Sequence, residues 1–174
     1  KPHAATEQSP PTEPSPAMAD YSIFECGDVR LQSGMTYRGA RLAFQTYGRL
    51  DASKSNAIVL PTSYGAQHTD LEWQIAPGRA LDPERWFIVI PNMFGNGLSS
   101  SPSNTPPPFD RGHYPHFTLA DNVRQQQRLL AEVFGIEELA LAVGWSMGAQ
   151  QAYHWAALFP DRVRRLAPIC GSAR

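Results

Sequence analysis

The chain has 174 residues, 42% of them hydrophobic, and a formal net charge of −1. That is enough for one domain with its own core, and the near-neutral balance without a basic stripe excludes nucleic acid as a partner. No apolar run is long enough to span a bilayer, and Cys26 and Cys170 have neither metal-ligand nor disulfide-framework spacing, which fits a reducing, cytoplasmic setting.

Residues 1–17 (KPHAATEQSPPTEPSPA) are rich in Pro, Ser, Thr and Glu and nearly devoid of large apolar side chains. Such a segment buries too little surface to offset its ordering entropy, so residues 1–20 are expected to be a disordered tail ahead of the domain, 21–174. It lacks the apolar core of a signal peptide. Met18 reads as a native start, and a chain running from Lys1 to Arg174 reads as a fragment or processed product.

Tyr21 to Gly48 predicts two antiparallel strands. Val29 to Gln32 alternates, and so does the stretch to Tyr47, with Leu42, Phe44 and Thr46 on one face and Ala43, Gln45 and Tyr47 on the other. Ala57 to Leu60 and Arg85 to Ile90 are short continuous apolar runs, as expected of strands covered on both faces. Between them, Leu71 to Leu81 predicts a short helix and a turn. Asn92 to Phe117 is a long Gly/Ser/Asn/Pro loop starting at a strand's carboxyl end, the side where open sheets bind ligands. Asn92 to Gly97 is not followed directly by a helix, which argues against a phosphate loop. Thr118 to Phe134 predicts a helix with Thr118 as N-cap, Asp121 closing a capping box, Gly135 as terminator, and Leu119, Val123, Leu130 and Val133 near one face.

The sharpest signal follows. The apolar run Leu139 to Val143 stops at Gly144-Trp145-Ser146-Met147-Gly148, then an Ala- and Gln-rich stretch continues to Phe159 and stops at Pro160. This is strand, tight turn and helix with a serine at the apex, the G-x-S-x-G nucleophile elbow. The glycines two before and two after the serine make room for backbones in close approach. A last strand spans Val163 to Ile169. Strands alternating with helices predict a mostly parallel sheet with right-handed crossovers, preceded by the antiparallel hairpin.

Further stretches carry a family resemblance: Thr46-Tyr47-Gly48-Arg49-Leu50, Gly78-Arg79-Ala80-Leu81-Asp82, Phe87 to Asn92, Asp121-Asn122-Val123-Arg124, the elbow itself and Gly171-Ser172-Ala173-Arg174. The chain resembles the N-terminal half of the homoserine O-acetyltransferase family of the α/β-hydrolase superfamily. The resemblance implies an α/β-hydrolase fold, truncated here after the strand that follows the nucleophile helix. It differs in the elbow, where Trp145 and Ala149 stand at positions typically Gly. Pro61-Thr62-Ser63-Tyr64-Gly65 stands where the family typically has His-Ala-Leu-Thr-Gly, and Ala120-Asp121 where it has Arg-Asp.

On this resemblance Ser146 is the nucleophile of an acyl-enzyme. The backbone N–H groups of Met147 and Ser63 form the oxyanion hole, with Tyr64 beside Ser63. Phe94 and Trp145 are either pocket walls or core. His154, eight residues along the same helix, lies about 12 Å from the serine and cannot serve it. Asp161 falls at the wrong end of the next strand, and His68, His113 and His116 read as surface or loop histidines. The catalytic acid and base are therefore expected beyond Arg174. The main expectation is acetyl transfer from acetyl-CoA, a co-substrate rather than a bound cofactor, to an alcohol acceptor. The alternatives are an esterase on the same scaffold, or a half-domain inactive without its missing part. No metal is expected. The partners are a small-molecule acyl donor and acceptor, with homodimer formation left open.

Overall fold

A computed structural model describes residues 20–172. The tail expected over 1–20 lies outside the described residues except for Asp20. Two long strands, β1 (Ser22–Arg30) and β2 (Thr36–Tyr47), pair antiparallel, with the register shifting around Gly27. They are followed by β3 (Ala57–Val59), β4 (Phe87–Pro91), helix α1 (Leu119–Phe134), β5 (Leu141–Trp145), helix α2 (Met147–Leu158) and β6 (Leu166–Ile169). The sheet order is β1-β2-β4-β3-β5-β6. β2 joins β4 antiparallel, and β4, β3, β5 and β6 are mutually parallel. The hairpin and parallel sheet expected from the sequence are both present.

The central strands are buried on both faces, which is why they read as continuous apolar runs. Ala57, Val59, Phe87, Val89 and Ala142 point to one face, where Val123, Leu129, Leu130, Ala152 and Trp155 of α1 and α2 cover them. Ile58, Leu60, Ile88, Ile90 and Val143 point to the other, beneath Leu71 and Leu81. That second cover stands where a short helix and a turn were expected over 71–81, and it begins three residues earlier. It is a 3-10 turn over His68–Gln74, followed by irregular chain that bridges Ile75 to Leu81.

α1 starts as its sequence demands. Thr118 Oγ1 accepts from the Asp121 N–H at 3.1 Å, and Asp121 Oδ2 accepts from the Thr118 N–H at 3.0 Å. Gly135 ends it in the left-handed region at φ 63°. The expected apolar face needs one correction. Val133 is 49% exposed, because its neighbour Phe134 packs edge-on against Phe44 and Phe87 and Val133 sits about 100° further round the helix. The unexpected feature is polar: Asp121, Asn122, Gln125 and Gln126 are all buried.

Among the described residues no helix is long and apolar enough to cross a membrane.

Two outcomes follow from this packing. Asp121 also accepts the Gln32 N–H at 2.8 Å, so Asp121→Ala removes a cap and strands a second donor. It should cost about 2–4 kcal/mol in a urea unfolding titration, whereas a change below about 0.5 kcal/mol would mean the carboxylate holds nothing. Burial pushes the Cys26 thiol from its ordinary 9.0 up to about 12. The folded state thus keeps a proton that the unfolded chain loses first. Stability from this group is complete below pH 9 and declines toward pH 12. With a thiol reagent at pH 8, exposed Cys170 should react while Cys26 stays protected until the chain unfolds.

Candidate active site

The sheet register brings the expected site residues to one level. Val59 of β3 is paired with Ala142 of β5 and with Val89 of β4. Four residues on from each come Ser63, Ser146 and Met93, side by side past the carboxyl ends of three adjacent parallel strands. This is the end at which open α/β sheets bind ligands.

Ser146 has φ 54° and ψ −119°, a conformation that costs an L-residue about 1–3 kcal/mol. Both flanking elements enforce it. Its N–H donates to Ile169 O of β6 at 2.9 Å, and its carbonyl accepts from the N–H groups of Ala149 and Gln150 at 3.0 and 3.2 Å. The two elbow glycines are required by clearance. A Cβ on Gly144 would stand 2.1 Å from Gly148 O, and one on Gly148 would stand 2.6 Å from Pro61 O. The serine side chain is left exposed at the apex. Met147 is the first residue of α2, so its N–H has no acceptor four residues back within the helix.

The loop after β3 is clamped to this elbow. Ser63 Oγ donates to Trp145 O at 2.7 Å. Thr62 is fully buried and bonded three ways: its N–H donates to Pro91 O at 3.3 Å, its Oγ1 accepts from the Met93 N–H at 3.0 Å, and its carbonyl accepts from Gln151 Nε2 at 2.9 Å. The backbones of Ser63 and Met147, the two expected donors, thus belong to loops tied to one another.

A cavity of about 360 Å³ opens beside Ser63, lined also by Tyr64, Gly65, Met93, Phe94, Gly95 and Asn96. Phe94 is both wall and core: it is buried, stacked on Phe117 at 4.4 Å, and held by its N–H donating to Asn122 Oδ1 at 2.9 Å. Trp145, 47% exposed, and Tyr64, 84% exposed, are not core at all. Trp145 immediately precedes the serine, and Tyr64 lines the cavity beside Ser63, a cavity whose lining includes neither Ser146 nor Trp145. A second cavity of about 340 Å³, lined by Tyr37, Arg38, Arg41 and the 98–106 loop, touches none of the expected site residues.

Among the described residues no histidine hydrogen-bonds Ser146. His154 Nδ1 is 2.9 Å from Gln150 O on its own helix, and His113 and His116 are exposed. His68 corrects the expectation of a surface or loop residue: it is 1% exposed. The His68 N–H donates to Asn92 Oδ1 at 3.0 Å, and that contact turns the Asn92 amide NH₂ toward His68 Nδ1 at 3.2 Å. Nδ1 is therefore the acceptor and the proton resides on Nε2, 3.4 Å from Asp20 Oδ1. Asp20, His68 and Glu72 lie close enough to share a cation. Yet a protonated Nε2 offers no lone pair, and Glu72 already accepts the Tyr47 hydroxyl at 2.7 Å.

Sequence reasoning missed the polar residues behind the site: Thr62, Asn92, Asn122, Gln126 and Gln151, all 0–1% exposed. One signal existed. Asn122 and Gln126 are four apart, next to the buried Val123, and so share the helix face that packs inward.

Comparison with known proteins agrees with this fold. A family model described as alpha/beta hydrolase fold matches residues 56–173. The chain is 44% identical over 155 residues to an ethyl acetate hydrolase of Pseudomonas veronii, covering 88% of this chain and 44% of that protein. It is 37% identical over 164 residues to a homoserine O-acetyltransferase of Geobacter sulfurreducens, covering 84% and 44%. In structure it is similar to an acetylester hydrolase from Corynebacterium glutamicum, with a TM-score of 0.86 at 44% identity over 88% of this chain and 45% of that one. The chain thus spans about half the length of the relatives it matches.

The clearance at Gly148 is the sharpest test of the elbow. Gly148→Ala should push the Pro61–Thr62 backbone away and cost about 1–3 kcal/mol of stability. In the intact gene product, labelling of Ser146 by a fluorophosphonate should slow with it, read by intact-mass spectrometry. Unchanged labelling and melting would show that α2 and the 61–62 loop are not in close approach.

Proposed function

Because the chain belongs to the alpha/beta hydrolase fold family, we propose that it carries the nucleophile half of a serine esterase acting on short-chain acetyl esters. The observation that carries this reading is Ser146, strained and exposed, on an elbow tied through the Ser63 hydroxyl to the loop after β3. In the proposal Ser146 Oγ attacks the ester carbonyl and its proton passes to a general base. The carbonyl oxygen becomes an oxyanion held by the N–H groups of Met147 and Ser63. The alcohol leaves with the returned proton, and water releases acetate from the acyl-enzyme. Tyr64, Phe94 and Trp145 wall the substrate, and the 360 Å³ cavity suits a small acyl group. The base and its acid partner are assigned to the part of the protein that corresponds to the relatives' remaining length.

The esterase reading is preferred over acetyl transfer for two reasons. The relatives at 44% identity are hydrolases of acetyl esters, while the acetyltransferase relative stands at 37%. Trp145 also stands, bulky and exposed, immediately before the nucleophile. The second reading, acetyl-CoA to an alcohol such as homoserine, shares the acyl-enzyme and differs in the acyl donor and in the acceptor.

In the intact gene product, p-nitrophenyl acetate should be hydrolysed, and Ser146→Ala should lower kcat by about 10⁴-fold or more. Acetyl-CoA with homoserine should yield no O-acetyl product above background. Faster acetyl transfer than hydrolysis would establish the second reading, and full activity in Ser146→Ala would remove the nucleophile from both.

A further inference from the structure

Resting on the oxyanion role proposed for the 62–63 loop, we infer that Gln151 is a positioning residue for catalysis, acting through the Thr62 carbonyl. Gln151 lies one turn into α2, the helix that begins at the nucleophile, and is fully buried. Its Nε2 donates to Thr62 O at 2.9 Å, one residue before the expected Ser63 donor. Its Oε1 accepts from Gln126 Nε2 at 2.6 Å, and Gln126 Oε1 accepts from Trp155 Nε1 at 2.9 Å. The indole N–H can only donate, so it fixes the Gln126 amide, which fixes the Gln151 amide, which presents N–H to Thr62. The polarity of the chain has one solution.

The relay has a geometric consequence. Peptide 62–63 contains both the Thr62 carbonyl and the Ser63 N–H, on opposite sides of one rigid plane. Pulling the carbonyl toward α2 turns the N–H away from the helix interior. The Ser63 hydroxyl, bonded to Trp145 O, holds the far side of the same residue against the elbow. The orientation of the Ser63 donor is thus set by two bonds to the element carrying Ser146, and Gln151 supplies the buried one.

Gln151→Leu and Gln151→Glu in the intact gene product test the assignment. Gln151→Leu should lower kcat/KM for p-nitrophenyl acetate about 10- to 100-fold with KM within about threefold. The inhibition constant of phenylboronic acid, a tetrahedral mimic, should rise by the same factor. Gln151→Glu should behave differently. Its protonated carboxyl repeats the one-donor, one-acceptor pattern, while its carboxylate repels the Thr62 carbonyl. Activity should approach wild type at low pH and fall on the alkaline side before wild type does, with far-UV circular dichroism unchanged. Should Gln151→Leu fail to fold, that pH profile decides alone. An active wild type with Gln151→Leu within about threefold in both constants, or Gln151→Glu tracking the wild-type profile, overturns this inference only. A wild type without esterase or transferase activity overturns it together with the function proposed above.

Discussion

The site depends on one close approach, that of the first turn of α2 to the backbone of Pro61 and Thr62. A Cβ at Gly148 would intrude to 2.6 Å of Pro61 O, so only glycine lets the two segments meet. Everything else at the site is arranged around that meeting. β5 must end abruptly for α2 to begin there, which forces Ser146 into its strained φ of 54° and lifts its side chain clear. β3 and β5 are neighbours in register, so the loop after one reaches the turn after the other. The strain at the serine, about 1–3 kcal/mol, is offset by bonds on both sides of it, to β6 and within α2.

The second layer is polar and lies where a hydrophobic core would ordinarily continue. The inward face of α1 holds Asp121, Asn122 and Gln126, and each reaches a different segment: the Gln32 amide, the Phe94 amide and the Gln151 side chain. Buried amides without partners would each cost about 1–3 kcal/mol, so a satisfied network of this kind permits few alternative loop positions. α1 therefore does more than cover the sheet. It holds Phe94, a wall of the cavity beside Ser63, and, through two glutamines, the loop tied to the elbow.

Much of this was legible in the residues. The elbow announced itself through Gly144, Ser146 and Gly148, because steric clearance leaves only small side chains possible there. The capping box at Thr118 and Asp121, the hairpin alternation and the doubly buried strands follow local rules that need no tertiary context. What was not legible depends on long-range contact. Gln151 sits in an Ala-rich helix and looks like solvent-facing polarity until Thr62 and Gln126 are placed against it. His68 reads as a loop residue until Asn92, twenty-four positions on, claims its ring nitrogen. The short cover over 68–81 carries no strong period to separate an α-helix from a 3-10 turn. The acyl donor and acceptor were the least legible, since hydrolysis and acetyl transfer would pass through the same acyl-enzyme.

The most direct test of the account is a crystal structure of the intact gene product with an ethyl phosphonate trapped on its nucleophile. The account predicts phosphorus bonded to Ser146 Oγ. One phosphonyl oxygen should lie about 2.7–3.1 Å from the N–H groups of both Met147 and Ser63, with Gln151 still bonded to Thr62 O. An adduct on another residue, or a phosphonyl oxygen turned to solvent with Ser63 N–H directed elsewhere, would contradict it.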